Sequence, residues 1–434
     1  MKRIIFLILL ISFSLQMGLL KRSRRSKHGE DCISDSACEE GLICKINRCY
    51  TKYESSNLEP LGLLETNICS FKKKCPIDKK CLNHRCIDKN STIEQPKNRT
   101  GIIEDVSLVF SGSIFLTKKP YTSGIKPNQT YNYDHLFTHI SKYIKAADLA
   151  IVPLPSIFND FEKKAKHKGI PKELGDAIVN AGFKLILHAS PNAYSHKEKG
   201  INNTINFWKN KHPDVHYLGI SSNYNESQND YFIYNKNNIK IGIINYSCFL
   251  GKSIPNKSKF MINLISKKKV EDLIPKLKKE VDFIIVCINW GDKYSLKPNK
   301  NEINWARTLA GLGVNLIIGN NPAYVLPVSF VKANNGKSSL VLFSLGVLIG
   351  ENYKKPSSLG ALANIVISKE NGKTHISSYN LIPTINHISD SNQYSVYKLT
   401  EYNETFGKSV NNYFSMEKTK KICRGIMGAF AHCG

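Results

Sequence analysis

The sequence predicts an α/β protein with a layered core, preceded by a small disulfide-rich module. Three observations predict it. From Asp105 onward, strand-like and helix-like stretches alternate, the order that builds parallel sheets covered by helices. Within that region two Val- and Ile-rich runs, one ending at Asn289-Trp290-Gly291 and one at Gly319-Asn320-Asn321-Pro322-Ala323, are too short to span a membrane. Each is broken by Gly or Pro, as buried parallel strands are. Between Cys32 and Cys86 one four-cysteine spacing occurs twice.

The chain has 434 residues, 41% of them hydrophobic, enough for one large core and a smaller module. Met1-Lys2-Arg3 and the run Ile4 to Phe13, apolar except for Ser12, have the charged start and short apolar core of a secretory signal peptide, expected over 1–20. The alternative is a short membrane anchor, lengthened by Ser14 to Leu20. No other segment approaches spanning length, so the mature chain is expected to lack a membrane span and to be secreted. Residues 21–31 form a basic arm or a propeptide, because Arg22-Ser23-Arg24-Arg25 resembles the dibasic sites cut in secretory pathways.

Asn-x-Ser/Thr triplets begin at Asn90, Asn98, Asn128, Asn202, Asn225, Asn245, Asn256 and Asn403, surface glycan acceptors in a eukaryotic exported chain, although an Asn-rich chain also yields such triplets by chance and Asn245 follows a buried-looking strand. Lys plus Arg is 61 against 35 Asp plus Glu, a formal charge of +26. Such a charge attracts polyanions over long range. For an exported protein these are acidic glycans or anionic surfaces, with nucleic acid the weaker match. The basic residues are dispersed (Lys163, Lys164, Lys166, Lys168; Lys267, Lys268, Lys269; Lys276, Lys278, Lys279), which also suits solvated helix faces in a Lys- and Asn-rich chain.

In the module at 32–87, Cys32, Cys38, Cys44 and Cys49 recur as Cys69, Cys75, Cys81 and Cys86 with identical spacing, an internal duplication. So short a repeat cannot bury enough apolar surface to hold itself folded, and in an exported chain four cysteines supply disulfides instead. Three pairings per repeat are open, with first to third and second to fourth preferred. Zinc is the alternative, without CxxC pairs or suitably placed histidines to favour it. The Cys-Glu-Glu-Gly-Leu-x-Cys core resembles the Dickkopf amino-terminal modules of secreted proteins, which implies a spacer or a surface for a protein partner. A polar linker with Pro96 follows at 88–104.

The large domain is expected over 105–383. Val106 to Phe110 is a strand ending in Ser111-Gly112-Ser113. Asp134 to Ala146 is a helix with Leu136, Ile140 and Ile144 on one face. Leu149 to Val152 is a strand ending in Pro153-Leu154-Pro155, Lys172 to Ala181 a helix, and Lys184 to Leu187 a strand leading into His188-Ala189-Ser190-Pro191-Asn192. A helix near Ile201 to Lys211 precedes a hairpin, from Tyr231 to Ile233 through Asn237-Asn238 into Lys240 to Tyr246. A helical segment near Phe260 to Glu280 then leads into the two central strands, which flank a helix from Asn301 to Gly313. Leu340 to Phe343 adds a strand ending in Ser344-Leu345-Gly346. Ligands of open α/β sheets bind beyond the carboxyl ends of strands, so these loops are where a site is expected.

The ordered set Phe110-Ser-Gly-Ser113, Ala147-Asp-Leu-Ala-Ile-Val152, Ala181-Gly-Phe183, Ile241-Gly-Ile-Ile244, Asn289-Trp-Gly291, Leu316-Ile-Ile-Gly319 and Phe343-Ser-Leu-Gly346 resembles the CapA family of capsule or poly-γ-glutamate synthesis proteins. The resemblance spans about Asp105 to Ile382. It implies a calcineurin-like metallophosphoesterase fold, a sandwich of two sheets flanked by helices, and it implies where metal ligands would stand. The family's Gly-Asp meets Gly112-Ser113, its Asn-Leu-Glu meets Pro153-Leu154-Pro155, and its Asn-Asn-His with a later Asp meets Ser190-Pro191-Asn192 and Ser195. Its His-Trp-Gly meets Asn289-Trp290-Gly291, with the following Glu-Tyr at Lys293-Tyr294. Its Gly-His-His-Pro-His meets Gly319-Asn320-Asn321-Pro322-Ala323, and its Ser-Leu-Gly-Asn-Phe meets Ser344-Leu345-Gly346-Val347-Leu348.

Ser113, Pro155, Asn192, Ser195, Asn289, Asn320, Asn321 and Ala323 thus occupy the ligand positions. A two-metal hydrolytic centre needs carboxylates to offset the cations and imidazoles to donate lone pairs; amides and hydroxyls are weak neutral substitutes. The expectation is a pseudoenzyme with no catalytic residue, no metal and no cofactor, which binds a polyanionic glycan or a protein partner. The alternatives are a metal-dependent hydrolase of the CapA type using His188, His196 or Asp292 as unorthodox ligands, and a structural envelope component. A Ser113 or Ser344 nucleophile with His188 lacks the Gly-x-Ser-x-Gly elbow. Cys248 and Cys287 lie on strand-like runs as thiols. In the tail at 384–434, Cys423 and Cys433 are expected to close a disulfide loop.

Overall fold

A computed structural model of the chain describes residues 42–45, 48–51, 79–82, 85–88, 104–158, 169–251, 254–350, 359–388, 394–410 and 415–434. The expected signal peptide, basic arm and linker, and the pairing of the eight cysteines in the repeats, lie outside the described residues. Within the repeats, β1 (Leu42–Lys45) and β2 (Arg48–Thr51) form an antiparallel hairpin with Cys44 opposite Cys49. β3 (Lys79–Leu82) and β4 (Arg85–Asp88) form a second, with Cys81 opposite Cys86. The shared register follows the shared spacing.

The large domain begins with β5 (Glu104–Ser111), the short β6 (Ser113–Ile114) and α1 (Lys118–Ser123). After α2 (Ser141–Lys145), β7 (Leu149–Pro153), α3 (Lys172–Ala181), β8 (Leu185–Leu187), α4 (Lys197–Lys211) and β9 (His216–Leu218) alternate. α3 stops at Gly182, whose φ of 111° suits a residue without a side chain. After the short α5 (Tyr224–Gln228) come the hairpin β10 (Tyr231–Lys236) and β11 (Ile239–Ser247). Their turn is Asn237-Asn238, both at positive φ, the backbone that a two-residue hairpin loop demands.

Next run α6 (Lys267–Leu277), β12 (Phe283–Asn289), α7 (Lys300–Leu312), β13 (Leu316–Asn320), β14 (Val328–Lys332), β15 (Ser338–Leu342) and β16 (Val347–Ile349). The long pair β17 (Leu359–Glu370) and β18 (Lys373–Ile388), then β19 (Tyr394–Lys398), α8 (Glu404–Val410) and α9 (Met416–Met427), complete the chain.

Two sheets result. Sheet one has the order β19-β18-β17-β5-β7-β8-β9, and sheet two the order β10-β11-β12-β13-β15-β14. β5, β7, β8 and β9 run parallel, as do β11, β12, β13 and β15. Alternate residues explain the layering, because successive side chains point to opposite faces. Val106, Leu108 and Phe110 of β5 meet Ile241, Ile243, Ile285 and Ile318 of sheet two in one shared core. Val109, Ala150, Val152 and Ile186 face away, under Leu174 and Ile178 of α3 and Trp208 of α4. Ile244, Val286, Ile288 and Ile317 lie under α6 and α7. The molecule is therefore the expected sandwich of two sheets flanked by helices.

Three expectations need correction. The helix read over Asp134 to Ala146 is a 3-10 turn at Asp134–Leu136 and then α2. Bonds from Phe137 N to Asp134 O and from Ile140 N to Phe137 O tighten the chain, while Leu136, Phe137, Ile140 and Ile144 all enter the core. The helix read from Phe260 begins only at Lys267, where the Ser266 hydroxyl accepts the Lys269 N–H at 3.2 Å. Before it, residues 262 and 264 bridge Ile220 and Ser247 in extended backbone. The boundary at 383/384 falls inside β18, and β19 continues the same sheet, since Tyr394 and Val396 fill the core beneath it.

Candidate functional site

The carboxyl ends of the parallel strands from the two sheets meet at one edge, and four of the sequence motifs lock together there. Asn289 and Asn320 end β12 and β13 as direct neighbours in the parallel register. The Asn289 amide donates to Asn320 Oδ1 at 2.9 Å, and both residues are buried. One residue on, Asn321 sits at φ 95° and donates to the carbonyls of Trp290 and Gly291 at 3.0 and 2.9 Å. The Trp290 indole donates to Phe343 O at 2.9 Å and stacks on its ring.

From Phe343 the network continues into the next motif. The Ser344 hydroxyl donates to Pro322 O at 3.0 Å and accepts from Gly346 N at 3.0 Å. Gly346 O accepts the Ser113 N–H at 3.0 Å. A Cβ on Gly112 would lie 2.7 Å from the carbonyl oxygens of Leu345 and Gly346, so the close approach of these two loops requires glycine. Asn289, Asn320, Asn321 and Ser113 are thus joined through Trp290, Pro322, Ser344 and Gly346. Ala323 is buried in the same loop.

The remaining expected positions stand apart. Pro155 is buried beside Leu154. Asn192 and Ser195 are exposed on and just after a 3-10 turn, Pro191–Tyr194, capped by the Ser190 hydroxyl. That loop is tied to sheet two through Asn245, whose Oδ1 accepts the Ala189 N–H at 2.8 Å while its amide donates to Cys287 O at 3.2 Å. Asn245, the triplet set apart by its buried-looking strand, is no surface glycan acceptor: its side chain is fully buried and bonded at both ends.

His188 does not serve as a ligand here. The Trp208 indole, which can only donate, gives its N–H to His188 Nε2 at 3.0 Å. The proton therefore sits on Nδ1, which donates to Leu154 O at 2.9 Å. Both nitrogens are engaged, and burial lowers the pKa to about 4. Asp292 is exposed and accepts the Asn299 amide at 2.8 Å, while His196 stands at the start of α4. Cys248 and Cys287 are free thiols raised well above the usual range by burial. Among the described residues, no three His, Cys, Asp or Glu side chains gather to hold a metal ion.

Two polar residues near this edge have structural roles that the sequence reading did not assign. Asn245 was visible as an amide inside an apolar run, Ile-Ile-Asn245-Tyr. Glu302 was visible only as half of a capping box with Asn299 at the start of α7. It is buried behind Gly291, where a Cβ would lie 2.5 Å from Glu302 Oε1. Burial pushes its carboxyl up to about 7. Its Oε2 accepts the Asn299 N–H at 2.8 Å, and Oε1 has no hydrogen-bond partner. Ser113 Oγ and Asn289 Oδ1 are likewise buried without one.

The model of the bacterial capsule synthesis protein family PGA_cap matches residues 107–352, the span that holds every loop described above. The chain belongs to this family. Relatives within it include the capsule biosynthesis protein CapA of Bacillus anthracis, 26% identical over 234 residues, covering 50% of this chain and 54% of that protein. The PGA biosynthesis protein CapA of Bacillus subtilis is 21% identical over 259 residues, 58% of this chain and 65% of that protein. The matches therefore span about half to two-thirds of each relative's length.

Among solved structures, the Haemophilus influenzae NAD nucleotidase overlaps 71% of this chain and 56% of its own at 10% identity, with a TM-score of 0.40. The calcineurin-like phosphoesterase YfkN of Bacillus subtilis overlaps 74% of this chain and 99% of its own at 13% identity, with a TM-score of 0.37. The PGA_cap match and the two-sheet topology together agree with the family and the fold that the motifs of the sequence resemble.

Proposed function

We propose that this PGA_cap member is an exported, catalytically silent binding protein that takes a polyanionic glycan or a protein partner. The observation that carries the reading is the Asn289–Asn320 hydrogen bond, an amide satisfying an amide where the family pattern has imidazoles. The other side chains at the implied ligand positions are hydroxyl, proline, amide or methyl. This donor set does not fit a two-metal hydrolytic centre, which needs anionic oxygen and imidazole nitrogen to hold cations and to ionise bound water near neutral pH. The imidazole of His188, with both nitrogens in hydrogen bonds, has no lone pair left to give. The formal charge of +26 supports a polyanion as the ligand. The apolar amino-terminal run and the cysteine repeats support export, with the repeats as a surface for a protein partner.

A second reading, a hydrolase with unorthodox ligands, draws on the two orphaned buried oxygens, Ser113 Oγ and Asn289 Oδ1. Elemental analysis of the purified, tag-free protein separates the two. The silent reading expects no stoichiometric metal and no metal-stimulated hydrolysis of phosphodiester substrates. Stoichiometric metal that disappears in Asn289→Ala or Asn192→Ala would overturn it.

A further inference from the structure

On the outer side of sheet one, α3 and α4 pack together and leave a groove of about 340 Å3 lined by Lys172, Asn203, Asn206, Phe207, Asn210 and Lys211. The groove is made by helices and takes no residue from the strand-end loops.

Its chemistry follows from the spacing. Asn203, Asn206 and Asn210 stand at i, i+3 and i+7 of α4, on one face. Each carboxamide both donates and accepts hydrogen bonds, as a sugar hydroxyl does. Phe207 is buried at the floor of the groove, fixed against α3 because Gly175 leaves room for it: a Cβ there would lie 2.5 Å from the ring. Phe207 also meets Phe158 and Trp208 edge-on, so the ring is held from behind.

The cation beside it is positioned as well. Lys211 Nζ is 2.7 Å from Asp176 Oδ2 and 5.8 Å from the centre of the Phe207 ring. Asp176 also binds His212 at 2.8 Å. Lys172 begins α3 one helical turn before Asp176, and none of the lining residues is acidic.

We propose that this groove is a subsite for an acidic glycan, seating a uronate unit with its carboxylate toward Lys172 and Lys211 and its hydroxyls on the three carboxamides. The lining holds two ammoniums and no carboxylate, although Lys211 also pairs with Asp176 beside the groove, so Lys172 is the cation that the charge test addresses. The row of carboxamides can both donate to and accept from the hydroxyls of a ring sugar, and a poly-glutamate, whose backbone amides offer the same pairing, is the competing ligand that the test includes. The proposal rests on the reading of the chain as a polyanion-binding protein and names where on the domain the polyanion is held.

The test uses the full chain and an end-labelled oligoglucuronate, followed by fluorescence anisotropy at about 0.15 M salt, where dispersed surface charge is largely screened. Asn206→Ala combined with Asn210→Ala, and separately Lys172→Glu, should each weaken binding about tenfold. Lys172→Arg should stay within about threefold of wild type, because it keeps the charge. Thermal melts of each variant verify the fold. Wild-type binding that all these variants retain overturns the groove and leaves the polyanion reading standing. A wild type that binds no oligoglucuronate overturns the groove as a uronate subsite, and one that binds neither oligoglucuronate nor poly-glutamate also overturns the polyanion reading on which it rests. Tighter binding of a labelled poly-glutamate, with the same sensitivity to the variants, overturns the sugar as the ligand.

Discussion

His188 and Glu302 are both buried titratable groups, and they bend the stability of the domain with pH in opposite directions. Burial disfavours the imidazolium, so the folded pKa of His188, about 4, lies below the ordinary histidine value of 6.5. Between those values the unfolded chain binds a proton that the folded chain refuses. The stability from His188 is therefore present above pH 6.5 and is lost as pH falls toward 4, by up to about 3 kcal/mol. For Glu302 the folded pKa is raised, to about 7 from 4.5. Its contribution is full below pH 4.5 and is lost as pH rises through 7. Asp230, also pushed up to about 7 by burial, acts in the Glu302 direction, so single variants must be compared with wild type. Glu302→Gln keeps an acceptor for the Asn299 N–H and cannot ionise. Its urea midpoint should exceed that of wild type at pH 8, by about 1 to 3 kcal/mol in stability, and converge with it near pH 4. His188→Asn should flatten the decline of wild type between pH 6.5 and 4.5.

At the scale of elements, the strand ends are held by backbone geometry that admits few side chains. Gly319 in β13 lies so close to Phe343 O and to the Trp290 indole that a Cβ would overlap both. Gly319→Ala should therefore push β13 away from β15 and break the bond from Trp290 to Phe343. The expected cost is about 3 kcal/mol or more, read as a fall in soluble yield and in the melting temperature. The strands and most helices were legible because their signals are local. Val- and Ile-rich runs give β12 and β13, and Asn237-Asn238 gives the hairpin turn. The helix read over Asp134 to Ala146 misled because a 3-10 turn also brings apolar residues three apart to one side. The start of α6 was misplaced because Phe260 and Met261 belong to a turn packed on a small cluster with Ile201 and Ile220, contacts that a local pattern does not contain.

Across the whole molecule, the tail is part of the fold. Cys423 and Cys433 form a disulfide, and both lie with Met427 in the core shared by the two sheets. Ala431 bridges Leu381 of β18. A chain ending at residue 383 would expose this core and cut β18 short. It should be insoluble or molten, whereas the chain carried to Gly434 should melt cooperatively, a contrast readable by near-ultraviolet circular dichroism.

The sequence by itself determined the alternation of strand and helix, the ordered motifs that place the chain in the PGA_cap family, and the residue types at the strand ends. Side-chain chemistry and short-range spacing are written directly in it. Only the tertiary structure decided what those side chains do. Asn289 and Asn320 are 31 residues apart and meet only through the parallel register of β12 and β13. Trp208 takes the lone pair of His188 because α4 folds back over sheet one. The tail closes a core begun at Val106, where its apolar residues leave water. Hydrogen-bond partners and shared cores are set by which segments become neighbours in space, and that is a property of the folded chain as a whole.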